Sequence, residues 1–426
     1  MKTKSLALLP LLLLLACSSA GEDAAPVDAG STDDTAASEG AVVDSALPGT
    51  DSKPGTDSSP GTDSSTGDDT SASDAPSTGK TILRVHYPAS GKRLTVRGAT
   101  TPWTWTAGVA MTDAGDDTYT FTTEAITVAT EWKPLLDDAT WSLGPNYVVK
   151  PGETLDVYPH FTIAAGSVTK KWPAFHSTAL GNDRDVWVYL PPTYLENTRA
   201  KMPVVYMHDG QNLFDPSLAF GGNEWKVDET MNGGATDGSI REAIVIGVGN
   251  TSARIDEYTP TSDSSVGGGG NADKYLTMLA TELKPAVDAA LRTEPGRATT
   301  AIIGSSLGGL VSAYAGTTRT DTFGLLGALS PSTWWDSRVI LADVAATKGK
   351  TPLPLKVYVD SGDSGTSSDD VTNTKALAQA YRDLGFVDGT TLDYVVQKGA
   401  THSETWWAQR LPGALTFLLG KRPATP

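Results

Sequence analysis

The distribution of apolar runs predicts an α/β protein with a mostly parallel sheet covered by helices on both faces, preceded by a small β-sandwich. Three observations carry this expectation. From about residue 167 onward, short β-branched runs at 184–190, 203–208, 243–248, 299–303, 325–329, 355–360 and 391–396 alternate with stretches of helical spacing. Between 80 and 164, short alternating runs are broken by Gly, Pro and Asp turns. The third is the stretch Thr299-Thr300-Ala301-Ile302-Ile303-Gly304-Ser305-Ser306-Leu307-Gly308-Gly309-Leu310, which reads as a strand, a sharp turn and a helix.

Taken from the start, residues 1–16 carry Lys2 and Lys4, then an apolar run from 6 to 15 interrupted only by Pro10. Such a run is too short to span a bilayer and reads as a signal peptide. Leu14-Leu15-Ala16-Cys17 resembles a bacterial lipobox, which implies that Cys17 carries lipid and anchors the chain at the cell envelope. Cys17 is the single cysteine, so no disulfide can form within the chain.

Residues 17–79 form an expected tether. Thirteen acids stand against one lysine in 18–79, a net of −12 out of the whole chain's −17, and Pro-Gly-Thr-Asp-Ser recurs from Pro48, Pro54 and Pro60. This composition cannot bury enough apolar surface to offset ordering. The acidity therefore belongs to the tether, and no basic patch points to a nucleic acid partner.

Residues 80–164 hold Trp103, Trp105, Trp132 and Trp141. The alternation Trp103-Thr104-Trp105 predicts both indoles on one face, either filling a small core or forming a platform for sugar rings. The remaining span, 165–426, is the expected α/β domain.

In that domain Ser306 sits where a nucleophile would, held at the strand's end by a turn so tight that glycine is needed on either side. With 43 glycines in the chain the pattern alone is weak, and the strand before it and helix after it supply the context. An unassisted serine is a poor nucleophile and needs a base. Of five histidines, His86, His160, His176, His208 and His402, only His402 follows the last strand, where an α/β-hydrolase delivers its base.

The acid should come from the end of the 355–360 strand or the loop behind it. Asp360, Asp363, Asp369 and Asp370 all qualify by position; Asp363 is favoured, with Asp370 the alternative acid or a helix cap. The amides of Leu307 and Gln211 are the expected oxyanion donors. The glycines at 267–270 lack the Lys-Ser or Lys-Thr of a phosphate loop.

These residues resemble the esterase D and enterochelin-esterase-like α/β-hydrolases, a family that includes feruloyl esterases and mycolyltransferases. The resemblance runs over about 170–420. It rests on Pro203 through Phe214, on Gly249-Asn250 with Arg254 and Glu257-Tyr258-Thr259-Pro260, on the Ser306 turn, on Ser330-Pro331-Ser332-Thr333-Trp334-Trp335, and on His402-Ser403-Glu404 with Trp406 or Trp407. Many members carry an acid at the position of Gly365. The 80–164 segment resembles the immunoglobulin-like sandwiches of starch-binding and enterochelin-esterase-type proteins.

The resemblance implies a serine esterase acting on a carbohydrate ester or a siderophore ester, with Arg254, Trp334 and Trp335 against the substrate and no metal or organic cofactor. Two other outcomes use the same residues: a surface protein that binds glycan or siderophore without turnover, and acyl transfer to a sugar.

Overall fold

The computed structural model describes residues 79–421. The signal peptide, Cys17 and the tether, apart from its last residue, lie outside the described residues.

The central sheet has eight strands: β1 (Ser167–Ser177), β2 (Asn182–Leu190), β3 (Val204–His208), β4 (Ile244–Val248), β5 (Thr300–Ser305), β6 (Leu325–Leu329), β7 (Lys356–Gly362) and β8 (Leu392–Gln397). Their order is β1-β2-β4-β3-β5-β6-β7-β8. The sheet is mixed: β1 pairs antiparallel with β2 and β2 with β4, and the other neighbours run parallel.

Residues alternate between its two faces. On one, Val204, Tyr206, Ile244, Ile246 and Ile302 pack with α2 (Leu307–Thr318) and α3 (Val371–Asp383). On the other, Val205, Met207, Val245, Ala301 and Ile303 pack with α4 (Glu404–Leu419). Both faces are covered, which is why the middle strands read as continuous apolar runs rather than alternating ones. Each buried Val or Ile contributes about 1.5–3 kcal/mol.

The helical stretch 272–290 is continuous but loosens into a π turn at Met278–Leu283, just before Pro285. Proline cannot donate the next backbone hydrogen bond, and the wider turn accommodates that loss.

The first described segment builds two small sheets. One orders Thr112–Gly115, Thr118–Thr123, Thr81–His86 and Thr154–Val157; the other Val109–Ala110, Leu94–Gly98, Thr130–Leu136 and Thr140–Trp141, with Tyr147–Val149 also on Thr130–Leu136. Leu83, Val85, Val96, Trp132 and Tyr147 share one apolar cluster. Trp103 is buried in it, but Trp105 is 36% exposed, because residues 101–108 form turns and the strand alternation does not apply. Trp105 lies instead 6.1 Å from the Trp141 ring.

A short helix, α1 (Pro192–Glu196), joins this segment to the large sheet. The Glu196 carboxylate accepts the Tyr87 hydroxyl at 2.9 Å and the amides of Phe161, Thr162 and Ile163 at 2.7–2.8 Å. Among the described residues no helix is long and apolar enough to cross a membrane.

Candidate active site

The parallel strands β3 to β8 end at one edge of the sheet, and the candidate residues gather there. Ser306 follows β5 directly, with φ 57° and ψ −124°. A non-glycine residue held there costs on the order of 1–3 kcal/mol, so its surroundings must enforce it. A Cβ on Gly304 would come within 2.6 Å of His208 Cδ2 and 2.8 Å of the Gly308 carbonyl oxygen. Only glycine permits that approach. On the other side, Ser306 donates its amide to Leu329 O at 3.1 Å, and its carbonyl accepts the Ser332 amide at 3.0 Å. The half-buried Ser306 Oγ lies 3.3 Å from Ser332 Oγ.

His402 and its acid come from the far end of the sheet. His402 Nδ1 is 2.6 Å from Asp369 Oδ1, while Asp369 is buried and His402 keeps 29% of its side chain exposed. The Trp407 ring meets the imidazole edge-on at 4.9 Å. Burial would raise the Asp369 carboxyl, but hydrogen bonds from His402, Ser330 Oγ and the Gly362 amide together outweigh it and hold the group below the usual carboxylate range.

The other positional candidates are occupied elsewhere. Asp363, favoured from sequence, accepts the Gly399 amide at 2.6 Å and braces the turn leading to His402. Asp370 precedes α3 and accepts from Asn373 Nδ2 at 2.7 Å. Asp360 is buried, 3.0 Å from Arg410 Nε, and desolvation pushes its carboxyl up to about 6 against the pull of Arg410. The carboxylate on His402 is therefore Asp369 rather than Asp363. Ser368, Asp369 and Asp370 all have positive φ, and this left-handed turn carries the Asp369 side chain inward.

Ser330 organises the region behind that acid. Its hydroxyl donates to Asp369 Oδ2 at 2.6 Å and accepts from Trp407 Nε1 at 3.0 Å and Arg410 Nη2 at 2.8 Å. A serine hydroxyl has one proton and two lone pairs. With both lone pairs taken, its proton has Asp369 as its partner. The sequence placed Ser330 at the head of the 330–335 segment without a role, and Arg410 was not singled out; their spacing beyond β6 and on α4 gives no hint of a shared partner.

The loop after β3 forms the opposite wall. His208 is buried between Tyr275 Oη at 2.8 Å and Ser312 Oγ at 3.1 Å, and burial lowers its pKa to about 3. It is neutral and structural. Asp209, with φ 55°, takes Arg254 through Nε at 2.8 Å and Nη2 at 2.9 Å, and Asn250 Nδ2 at 2.6 Å. Gln211 follows in the short turn Gly210–Asn212. A Cβ on Gly210 would sit 2.5 Å from the Gly247 carbonyl carbon, so the loop presses against β4.

Two residues expected against substrate are thus used otherwise. Arg254 is committed to Asp209, and Trp335 is fully buried and donates its indole N–H to Thr261 O at 3.0 Å. Trp334 is 40% exposed. Among the described residues no His, Cys, Asp and Glu cluster could hold a metal ion.

A family model described as "Putative esterase" matches residues 177–418, more than half of the chain. The chain belongs to this esterase family. The matched span runs from the end of β1 to the last turn of α4, so it includes every residue of the site described above. The esterase chain is similar to the uncharacterized protein YbbA of Bacillus subtilis, 26% identical over 254 residues that cover 57% of this chain and 95% of that protein. It is also similar to a siderophore triacetylfusarinine C esterase of Aspergillus fumigatus, 28% identical over 156 residues, 35% of this chain and 50% of that one. The chain thus spans half the length of that fungal relative. Among solved structures, a BES protein from Bacillus cereus has a TM-score of 0.48 at 20% identity, covering 59% of this chain and 94% of its own.

Proposed function

We propose that this esterase hydrolyses a carboxylic ester by a covalent route through Ser306, His402 and Asp369. The observation that carries the reading is the 2.6 Å hydrogen bond from His402 to a buried, ionised Asp369 at the edge where the strained Ser306 turn emerges.

His402 Nε2 takes the Ser306 proton as Oγ attacks the ester carbonyl, and Asp369 fixes the tautomer and stabilises the imidazolium. The amides of Leu307, at the start of α2, and Gln211 donate to the oxyanion. Collapse of the tetrahedral intermediate transfers the proton to the departing alcohol and leaves an acyl group on Ser306. Water, activated by the same imidazole, then releases the acid. An alcohol in place of that water would give acyl transfer.

The substrate is an ester of a carbohydrate, feruloyl or acetyl, or of a siderophore. Residues 80–164 are a β-sandwich domain and 165–426 the catalytic domain. Residues 1–16 direct export and Cys17 anchors the chain to the envelope membrane through the 17–79 tether; this part rests on the sequence.

The test is hydrolysis of p-nitrophenyl acetate and butyrate by the full chain beside Ser306→Ala. Loss of at least about three decades in kcat/KM is expected. Retained activity in Ser306→Ala would remove the serine mechanism.

A further inference from the structure

Arg410 is buried on α4, and its guanidinium reaches three adjacent strands at their catalytic ends. Nε lies 3.0 Å from Asp360 Oδ2 in β7, Nη2 donates to Ser330 Oγ just beyond β6 at 2.8 Å, and Nη1 donates to Gln397 Oε1 at the end of β8 at 3.2 Å. Strand register brings these positions together, with Leu329 opposite Asp360 and Gly362 opposite Gln397. The chain leaving β7 supplies Asp369, and the chain leaving β8 supplies His402. One side chain therefore grips the roots of both.

The charges around it are unequal. Asp360 and Asp369 both have fully buried side chains, and Arg410 Nη2 lies 3.8 Å from Asp369 Oδ2, so two carboxylates share one cation. Ser330 joins the two acids, donating its amide to Asp360 Oδ1 at 3.1 Å and its hydroxyl to Asp369 Oδ2 at 2.6 Å. That hydroxyl points at Asp369 only while Arg410 and Trp407 occupy its lone pairs. A lysine ammonium would supply the charge, but not a planar fork spanning three acceptors.

We propose that Arg410 is a positioning residue of the proposed reaction, holding the Asp369 carboxylate through Ser330 in the orientation that His402 Nδ1 requires, with Asp360 as its fixed counter-ion. The bond to Gln397 extends the hold to the turn before His402, where the Ala400 amide donates to Gln397 O at 3.2 Å. The inference rests on the Ser306, His402 and Asp369 reading and adds residues that touch no reacting atom.

Removing Arg410 alone would leave the Asp360 carboxylate buried without its cation and destabilise the fold. The test therefore uses the full chain carrying Asp360→Asn and Arg410→Met together, with p-nitrophenyl acetate at about pH 8, where Asp360 of wild type is ionised. In this paired variant kcat should fall about tenfold with KM within about twofold of wild type. Added to Ser330→Ala, the same pair should cost no more than about twofold further, because Arg410 acts through that hydroxyl. An unchanged kcat, or losses that multiply to about a hundredfold in the triple variant, overturns the proposal. A second readout does not depend on turnover: the His402 Nδ1 proton, assigned in NMR spectra by its absence from His402→Gln, should lie downfield of the amides in wild type and move upfield in the paired variant. An unmoved resonance overturns the proposal whatever the kinetics. If wild type hydrolyses nothing, or Asp369→Asn is fully active, the esterase reading fails separately, and the resonance alone decides whether Arg410 holds the pair.

Discussion

His208 and His402 stand at the same edge of the sheet and have opposite surroundings. His208 is buried against two neutral hydroxyls, and its pKa is lowered to about 3. His402 is part-exposed and bonded to a buried carboxylate. Their neighbouring acids differ in the same way: Asp209 is neutralised by Arg254, whereas Asp369 keeps one oxygen for the imidazole and gives the other to Ser330. A partner capable of stabilising a cation separates a base from a structural ring. Position in the chain singles out His402, but not the partners that set the two rings apart.

The largest effect that could break this contrast comes from the histidines themselves. His402→Gln should lower kcat/KM on p-nitrophenyl esters by about a thousandfold or more with the fold retained. His208→Gln should act mainly on stability, read by urea unfolding, with under about tenfold change in kcat/KM. Similar kinetic losses in both variants would erase the distinction.

Arg254→Ala leaves the Asp209 carboxylate without its guanidinium, and should destabilise the chain by about 3 kcal/mol. Trp334→Ala, at an exposed ring, should cost less than about 0.5 kcal/mol. The two unfolding curves side by side sharpen the assignment of Arg254 to the loop after β3.

Next in size is a pH effect. Burial holds the Asp360 carboxyl up at about 6, above its unfolded range, so its contribution to stability is full below about pH 4 and is lost as pH rises through about 6. Asp209 and Asp369, both lowered, act in the opposite sense: their contribution is present above about pH 4 and is lost as pH falls below it. Unfolding of wild type beside Asp360→Asn between pH 4 and 7 isolates the first effect, and wild type should lose stability relative to the variant as pH rises.

A smaller kinetic effect is expected from Ser330→Ala. It removes the charge-assisted bond to Asp369, about 1.5 kcal/mol, along with the bonds from Trp407 and Arg410, and should lower kcat/KM about tenfold.

Much of this was legible in the chain. The strand, glycine turn and helix around Ser306 announce the candidate nucleophile because the backbone geometry permits so few residues, and His402 stands out by its place after the last strand. Asp369 was one of four acids within eleven residues, and choosing it depends on a left-handed turn at 368–370 that no propensity indicates. Arg254 and Trp335 have the residue types of a substrate pocket, yet a buried acid and a carbonyl claim them. Trp103 and Trp105 were placed on one face by strand alternation, which fails because their segment is a turn. In each case the missing information was the identity of a distant partner or the hand of a loop.

The central claim is that Asp369, not Asp363, supports His402. It is tested by kcat/KM on p-nitrophenyl acetate for Asp369→Asn and Asp363→Asn in parallel. A loss of about four decades for Asp369→Asn with Asp363→Asn within about threefold of wild type is the predicted result. The reverse order, or equal losses, would contradict it.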